Sequence, residues 1–273
     1  MRIAVLGPGG VGGLLAAVLP QALVVSRTPL TEVRLRSRVL GERTTSVRST
    51  PTLDESVDVL FVAAKATGLA EAVTRIAVEP GVVVPLLNGI EHLAFLRERF
   101  ADVVAATIRV ESTRVAPGVI EQTSPWIRVE LAGHPEVAEL LNAAGIPAVV
   151  VDDEVQVMWS KLVRLNAIAL TTTAYRAPIG DVRSEHGDDL LDVIRETAAV
   201  AAADGASIDA SAVESELADA HPELLSSMAR DVMAGRPPEL DAIGGAVLRA
   251  GARHGVDTPT VARLVEAIRR ELP

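Results

Sequence analysis

Short, continuous apolar runs alternate with amphipathic segments through the first half of the chain. Runs of roughly four to eight mostly β-branched residues are typical of strands that are buried on both faces of a parallel sheet. They occupy residues 2–6, 23–26, 57–64 and 82–87. Helical patterns separate or follow these runs at residues 10–19, 68–77 and 91–100. This alternation predicts a doubly wound α/β domain.

Further apolar runs continue the pattern to about residue 151. They predict strands at residues 103–113, 118–122, 126–131 and 147–151, with a helix at 135–145. We expect these strands to continue the same sheet, partly in antiparallel orientation.

From about residue 153 onwards the pattern is helical. The predicted helices cover residues 154–174, 188–204, 210–233, 239–254 and 259–272. Thr258 is a candidate N-cap of the last helix, with Pro259 at its first position. We therefore predict an α/β domain at 1–152 and an all-helical domain at 153–273.

The composition excludes several classes of function. Hydrophobic residues make up 49 % of the 273 residues and aromatic residues only 2 %, so the core must be built from Ala, Val and Leu. The net charge of −10 repels nucleic acids and anionic membranes, and we expect neither as a partner. The absence of cysteine excludes disulfides, thiolate metal sites and cysteine catalysis, and no metal site is predicted. Neither a signal peptide nor an apolar run of about 18 residues is found, so we expect a cytoplasmic protein.

A glycine-rich segment, VLGPGGVGG, follows the first predicted strand and opens a helix. Its G-x-G-x-x-G spacing lets the first glycine form a tight turn, the second approach a pyrophosphate and the third pack the helix on the strand. The helix N-terminus offers N–H groups and a positive dipole end to the phosphates. We predict a Rossmann-type dinucleotide site, formed by Gly7, Gly9, Gly10, Val11 and Gly12. The alternative is a purely structural glycine turn.

The end of the second predicted strand indicates which dinucleotide binds. An NAD site places an acidic residue there, about 20 positions after the glycines. This chain has Ser26 and Arg27 instead. An arginine at this point favours the 2′-phosphate of NADP(H), whereas the alternative is an arginine that is on the surface by chance.

Lys161 lies in the strongly apolar segment VMWSKLVRLNAIAL, residues 157–170. At about 100° per residue, Leu165 and Ile168 lie within about 40° of Lys161 on the helical wheel. Lys161 is therefore at the centre of an apolar stripe. Either its ammonium group reaches water along its aliphatic stem or the lysine lines a cleft.

Eight segments in this order and spacing resemble the ketopantoate reductase (2-dehydropantoate 2-reductase) family from end to end. They are GPGGVGG, SR after the second strand, VAAKATGL, LLNGIEH, GVIEQT, MWSKLV, SSMARDVMAGRPPELDAIGG and ARHGVDTPT. The resemblance implies a Rossmann domain followed by a helical domain, with the active site in the cleft between them. The cleft interpretation of Lys161 is strengthened accordingly.

The resemblance also implies roles for five residues. Lys65 corresponds to a lysine that reaches the cofactor, and Asn88 to an asparagine between nicotinamide and substrate. Lys161 corresponds to the catalytic lysine, Ser227 to a serine that holds the substrate carboxylate, and Glu239 to the glutamate of the catalytic site. Three of them also have a structural alternative. Lys65 would be a solvated lysine at a strand end, Asn88 part of an ordinary Asn-Gly turn, and Glu239 an acid at a helix start.

The implied reaction is the NADPH-dependent reduction of a 2-oxo acid, a small molecule, to a 2-hydroxy acid. Ketopantoate, which is reduced to pantoate in pantothenate biosynthesis, is the leading candidate. A lysine ammonium can donate the proton that the ketone oxygen requires and stabilise the developing alkoxide. Glu239 would orient Lys161 and offset the cost of its desolvation. Closure of the two domains on the ligands would be part of the mechanism.

The chain departs from the family pattern beside the lysine. The family has asparagines four and eight positions after it, where this chain has Leu165 and Ala169. Asn166 points about 100° away from the first of these positions, and Thr172 is roughly 16 Å along the helix from Lys161. Neither replaces the missing amides. A more apolar substrate than ketopantoate is therefore an alternative.

Two rival functions and the oligomeric state remain open at this stage. Related two-domain dehydrogenases act on β-hydroxy acids or imines, but the spacing of Ser227 and Glu239 favours the ketopantoate reductase pattern. A non-catalytic NADP-binding protein would have no need of Lys161 together with Glu239. A homodimer is compatible with helices rich in Ala, Val and Leu, although aromatic anchors are scarce.

Overall fold

The computed structural model describes residues 1–272 and divides into two compact units. The first unit consists of residues 1–87 and 92–157. The second consists of Asn88–Glu91 and the described residues from Met158 onwards.

The described residues form twelve strands and eleven α-helices. The strands are β1 (Ile3–Leu6), β2 (Leu23–Val25), β3 (Glu32–Ser37), β4 (Gly41–Ser46), β5 (Arg48–Thr50), β6 (Val59–Val62), β7 (Val82–Pro85), β8 (Ala106–Arg109), β9 (Ser112–Ala116), β10 (Val119–Gln122), β11 (Arg128–Ala132) and β12 (Ala148–Val151). The helices are α1 (Gly10–Val18), α2 (Leu69–Val73), α3 (His92–Arg97), α4 (Pro135–Ala143), α5 (Glu154–Ala174), α6 (Ile179–Glu185), α7 (Gly187–Ala203), α8 (Ala210–Ala218), α9 (Ser227–Met233), α10 (Ala246–His254) and α11 (Pro259–Glu271).

A five-stranded parallel sheet is the centre of the first unit. Its strand order is β5-β2-β1-β6-β7, and β1 pairs in parallel with β2 on one side and β6 on the other. Every residue of β1, β6 and β7 is buried, as their continuous apolar sequences require. The predicted Rossmann-type α/β fold is confirmed.

The later strands do not continue this sheet, contrary to our expectation. They form a four-stranded sheet, β4-β3-β10-β9, and a three-stranded sheet, β12-β11-β8. The single strand predicted at residues 103–113 is two strands, β8 and β9, which join different sheets. An isolated parallel bridge pairs Val83 of β7 with Val103, just before β8. The mixed orientation that the sequence predicted is present within both of these sheets.

Strands β3, β4 and β5 were not predicted, because none of them is a continuous apolar run. In β3 only Val33 and Leu35 are buried, in alternation with polar residues, and no residue of β4 is buried. They are held by pairing instead. All six residues of β3 pair with β4 in antiparallel orientation, and β3 also pairs in parallel with β10.

The second unit is helical, and residues 152–272 contain no strand. The helix predicted at 210–233 is two helices, α8 and α9, and α6 was not predicted. The helix predicted at 239–254 begins with a π-helical turn at Asp241–Gly245, which leads directly into α10. No helix within residues 1–272 is both long enough and apolar enough to cross a membrane.

Thr258 is the residue before α11, as predicted, but its side chain makes no capping hydrogen bond. The carboxylate of Glu196 on α7 caps the helix instead. It accepts hydrogen bonds from the backbone N–H groups of Thr260 and Val261, at 2.9 Å each. The helix start is therefore satisfied by a tertiary contact that the local sequence does not reveal.

A polar junction connects three helices inside the second unit. The indole N–H of Trp159 on α5 donates to Asp204, which follows α7, at 2.7 Å. Nε2 of His254 on α10 lies 2.7 Å from the other oxygen of the same carboxylate. Burial acts to raise the pKa of Asp204, but the hydrogen bonds to Trp159 and His254 lower it below its usual value. The ionised carboxylate is thus the form that holds the three helices together.

Candidate active site

The glycine-rich segment forms a tight turn between β1 and α1. Gly7 has a φ of +87°, which side-chain-bearing residues rarely adopt, and its N–H donates to the carbonyl of Val25 at 3.1 Å. A Cβ at Gly12 would lie 2.2 Å from the carbonyl oxygen of Gly7. The structure therefore requires glycine at both positions, for the turn and for the close approach of α1 to β1.

The start of α1 has the features of a phosphate-binding helix terminus. Gly9 occupies its N-cap without a side-chain hydrogen bond, and the first turn carries no acidic residue. The nearest atom to a Cβ at Gly9 would be the carbonyl oxygen of Ala63, at 4.0 Å, so the space beside Gly9 is open. The first N–H groups of the helix have no partner within it. These residues fit the pyrophosphate of a dinucleotide.

Gly10 and Gly13 have a packing role that the sequence did not reveal. A Cβ at Gly10 would lie 2.0 Å from the carbonyl oxygen of Ser112 on β9, whose hydroxyl donates to the carbonyl of Gly10 at 2.8 Å. A Cβ at Gly13 would lie 2.3 Å from Ile120 on β10. The helix that begins at the glycines is thus also pressed against the second sheet. Val11, between them, is partly buried against the core.

Arg27 lies just beyond β2 and is well exposed, with 74 % of its side chain accessible. The structure also brings an acidic residue to it from another element. The carboxylate of Glu71 on α2 lies 3.8 Å from the Arg27 guanidinium and 3.2 Å from that of Arg75. Glu71 is far from Arg27 in the chain, so the sequence did not indicate this neighbour.

Lys65 is exposed and follows β6 by three residues. Its carbonyl accepts a hydrogen bond from Gly68 at 2.9 Å, which closes the short turn before α2. Because β1, β2 and β6 are adjacent and parallel, Gly7, Arg27 and Lys65 all follow carboxyl ends at one edge of the sheet. Ligands of open α/β sheets bind at this edge.

Asn88 and Glu239 are in direct contact within the second unit. The side-chain amide of Asn88 donates to the Glu239 carboxylate at 3.0 Å, although 151 positions separate the two residues. Both are partly buried. Glu239 immediately precedes the helical segment that contains the π-helical turn. The sequence singled out both residues, and the structure joins them.

Lys161 and Ser227 lie elsewhere in the same unit. Lys161 is partly buried on α5, and the nearby residues Trp159 and Leu162 are buried. Ser227 is exposed at the start of α9, whereas its neighbour Ser226 is buried. The Ser226 hydroxyl caps α9 by accepting from the N–H of Ala229 at 2.9 Å.

The positions that depart from the family pattern are apolar in the structure as well. Ala169 is fully buried and Leu165 is partly buried. The amide of Asn166 donates to the hydroxyl of Thr197 on α7 at 2.9 Å, so it is committed to helix packing. The hydroxyl of Thr172 donates to the carbonyl of Ile168 at 2.6 Å. Neither side chain replaces the missing asparagines.

Comparison with known proteins identifies the family. The family model described as ketopantoate reductase PanE/ApbA matches residues 3–135, and that described as ketopantoate reductase PanE/ApbA C terminal matches residues 153–271. The chain belongs to the ketopantoate reductase family. A 2-dehydropantoate 2-reductase of Caulobacter vibrioides is 32 % identical to this member of the ketopantoate reductase family, over 96 % of each chain.

Two solved structures of ketopantoate reductases share the fold. The crystal structure of 2-dehydropantoate 2-reductase from Methylococcus capsulatus has a TM-score of 0.86 and 26 % identity, and the match covers 99 % of this chain and 96 % of that one. A dimeric ketopantoate reductase from Staphylococcus aureus has a TM-score of 0.87 at 19 % identity, covering 100 % of this chain and 99 % of that one.

Membership of the ketopantoate reductase family confirms the predicted class of enzyme. The family consists of NADP-dependent oxidoreductases, and its members reduce 2-oxo acids. Within residues 1–272, no group of three or more His, Cys, Asp or Glu side chains is arranged to hold a metal ion.

Proposed function

We propose that this protein uses NADPH to reduce a 2-oxo acid to a 2-hydroxy acid, with ketopantoate as the leading substrate and pantothenate biosynthesis as its setting. The hydrogen bond between Asn88 and Glu239 is the observation that carries the proposal. It joins two residues that the family pattern places in the catalytic site, and which are 151 positions apart in the chain.

In the proposed reaction, the bound cofactor would provide the hydride that the ketone carbon accepts. Lys161 donates a proton to the ketone oxygen, so that the carbonyl becomes a hydroxyl and the lysine becomes neutral until it is reprotonated from water. Glu239 orients the ammonium group and stabilises its charge as it leaves water. Asn88 fixes the Glu239 carboxylate and contacts the substrate, and Ser227 binds the substrate carboxylate.

We assign NADPH binding to the glycine-rich segment and to two basic residues, all of which belong to the first unit. The backbone of Gly7, Gly9, Gly10, Val11 and Gly12 would hold the pyrophosphate. Arg27 would pair with the 2′-phosphate, and Lys65 would contact the cofactor from the end of β6. The open space beside Gly9 and the uncapped start of α1 support this assignment.

We also propose a division of labour along the chain. Residues 1–152 would bind the cofactor and residues 153–273 would carry the catalytic and substrate-binding groups, apart from Asn88. Asn88–Glu91 groups with the helical unit by its contacts although it belongs to the first segment of the chain. One short segment of the cofactor-binding half thus contributes to the catalytic side.

The first test is NADPH oxidation by the purified protein with ketopantoate, compared with a Lys161→Ala variant. Without the ammonium group, we expect turnover to fall at least about 100-fold, because general acid catalysis contributes roughly 10²–10⁴-fold. NADPH binding, followed by its fluorescence, should survive. Equal turnover in both proteins would contradict the role of Lys161. NADPH binding without turnover of any 2-oxo acid by the unmodified protein would favour a non-catalytic NADP-binding function.

A more apolar substrate is the second candidate, and Leu165 and Ala169 favour it. Apolar side chains on α5 near Lys161 offer no hydrogen bond to a hydroxyl on the substrate. The assay therefore includes 2-oxo acids whose side chains are plain hydrocarbons beside ketopantoate, which carries a hydroxyl group. A larger kcat/KM for the hydrocarbon series would replace ketopantoate as the substrate and leave the chemistry unchanged.

We propose a homodimer as the oligomeric state. The Staphylococcus aureus protein is described as dimeric, and this chain shares its fold. Light scattering on the purified protein tests the proposal directly, with a mass near twice 28.6 kDa expected.

A further inference from the structure

The loop Asn88–Glu91 rests with its backbone on the π-helical turn Asp241–Gly245. Gly89 has a φ of +85°, and a Cβ at this position would lie 2.2 Å from the carbonyl oxygen of Ala242. Only glycine permits this approach. The contact brings Asn88 beside Glu239, since Gly89 and Ala242 are close neighbours of those two residues in the chain.

Arg249 on α10 connects the same loop and turn through its side chain. Its Nε and Nη2 atoms donate to the two carboxylate oxygens of Glu91, at 2.9 Å and 2.6 Å. Its Nη1 atom donates to the carboxylate of Asp241 at 2.8 Å, and Nη2 also lies 3.0 Å from the Asp241 backbone carbonyl. One guanidinium group therefore bridges Glu91 in the loop and Asp241 in the turn.

The geometry of this bridge distinguishes it from an ordinary surface ion pair. The Arg249 side chain is 43 % exposed and that of Glu91 is 40 % exposed, so a single bond between them would contribute little. A bidentate pair with a second carboxylate on the same guanidinium is a network, which holds its geometry better. The hydrogen bond that Arg249 donates to Asp241 lowers the pKa of Asp241, so this carboxylate stays ionised.

The turn is also built to receive Arg249. A Cβ at Gly245 would lie 2.6 Å from the Asp241 carboxylate and 3.1 Å from the Arg249 guanidinium. Gly245 therefore leaves the space in which the two side chains meet. At the preceding position, a Cβ at Gly244 would lie 2.6 Å from Val265 on α11, so the turn packs closely against that helix.

We propose that Arg249 is a positioning residue, which holds the loop Asn88–Glu91 against the turn and thereby sets the contact of Asn88 with Glu239. The inference rests on the proposed function, in which these two residues act on the substrate and on Lys161. Arg249 would act through its partners Glu91 and Asp241, which belong to the loop and to the turn. Small displacements of positioned groups can cost up to about 100-fold in rate, so the bridge has a catalytic consequence.

The test compares Arg249→Met with the unmodified protein. We expect kcat to fall about tenfold per folded molecule, whereas the dissociation constant for NADPH should change less than about twofold, because the glycine-rich segment, Arg27 and Lys65 are untouched. Hydrogen exchange of the peptide that contains residues 88–91 should become faster. Arg249→Lys, which keeps the charge but cannot bridge two carboxylates in this way, should restore only part of kcat.

Arg195→Met is the matched control. Arg195 on α7 pairs with Glu214 on α8 at 3.0 Å, and its side chain is also partly exposed. Neither residue of this pair belongs to the loop or to the turn. The control removes an arginine and one ion pair from the same unit. It should leave kcat and the exchange of residues 88–91 unchanged.

Combined variants separate positioning from general destabilisation. Glu91→Gln should reproduce the loss in Arg249→Met, and the double variant should be no worse than either single one. In an Asn88→Ala background, Arg249→Met should have little further effect on kcat, because the residue through which it acts is absent. If the losses in kcat multiply in either double variant, the inference is wrong. Unchanged hydrogen exchange of residues 88–91 in Arg249→Met would also overturn it. If the unmodified protein reduces no 2-oxo acid, the proposed function fails, and hydrogen exchange alone decides whether Arg249 positions the loop.

Discussion

At the scale of single residues, we propose that the choice of cofactor depends on side chains beside β2. In the proposed site Arg27 would offer a cation to the 2′-phosphate of NADP, and its exposure leaves it accessible to a ligand. Glu71 lies 3.8 Å from it, where its charge attracts the guanidinium but would repel a phosphate. We infer that Arg27 favours NADPH and that Glu71 moderates this preference.

Arg27→Ala should therefore raise the KM for NADPH about tenfold or more, since a charge-assisted hydrogen bond contributes roughly 1.5–3 kcal/mol. The KM for NADH, which lacks the phosphate, should hardly change. Glu71→Gln should lower the KM for NADPH, and added salt should diminish this effect. These constants are measured from initial rates with each cofactor.

Glu55→Gln serves as the control for Glu71, because Glu55 is a half-exposed acid that pairs with a different arginine, Arg48, at 2.8 Å. It should leave both KM values unchanged. An equal rise in the KM values for NADPH and NADH in Arg27→Ala would refute recognition of the phosphate.

The sequence was sufficient to predict candidate site residues that follow buried strands, but not the residues that contact them. The end of the second predicted strand indicated Arg27, because ligands bind at the carboxyl ends of parallel strands. Lys65 and Asn88, which also follow predicted strands, were indicated by the resemblance to the family. Glu71 and Arg249 carried no local signal. Their contacts join segments that are distant in the chain, and no periodicity or spacing encodes which exposed charges will meet.

At the scale of elements, burial on both faces made the central sheet predictable. Strands β1, β6 and β7 are continuous apolar runs, and their sequences alone indicated them. Strand β4 contains no buried residue and is held by its pairing with β3, so hydrophobic pattern could not find it. Strands of this kind depend on cross-strand hydrogen bonds and partners rather than on their own composition.

The packing of α1 on β1 gives a prediction at this scale. Gly12→Ala would place a Cβ 2.2 Å from a backbone oxygen and 3.1 Å from the Cβ of Ala63, neither of which is the flexible end of a side chain. We expect the free energy of unfolding to fall by about 1–3 kcal/mol, the usual cost of overpacking. Thermal or urea unfolding measures it.

Gly187→Ala is the control for Gly12→Ala, because Gly187 is also near a helix start but a Cβ there would meet nothing within 4 Å. Loss of chain entropy in the unfolded state should make this variant more stable by roughly 0.4–1 kcal/mol. Equal stability of the two variants would show that α1 can move away from β1 at little cost.

At the scale of the whole molecule, the helical half was predictable as a class but not in detail. The absence of strand patterns after residue 152 indicated helices, and the helix predicted at residues 154–174 is confirmed as α5. The π-helical turn Asp241–Gly245 was not foreseen. Within it, Gly244 packs closely against Val265 and Leu170, which are distant in the chain, and π-helical turns often occur at functional sites.

Charge across the molecule also makes its stability depend on pH, and His134 contributes in the neutral range. His134 precedes α4 with a φ of 53°. Its Nδ1 and Nε2 atoms lie 2.9 Å from Glu136 and 3.2 Å from Asp102. Burial acts to lower the pKa of His134, but the two carboxylates raise it above the usual 6.5. The protonated ring therefore connects the start of α4 to the segment before β8.

Because the pKa of His134 is higher in the folded than in the unfolded protein, the folded state binds the proton more tightly. The stabilisation is complete below pH 6.5 and is lost as the pH rises through the folded-state pKa. We expect the free energy of urea unfolding to decrease as the pH rises above 6.5 and passes through the folded-state pKa of His134. His134→Asn, which tolerates the positive φ, should make this decrease smaller. An unchanged slope in the variant would show that other groups cause the pH dependence.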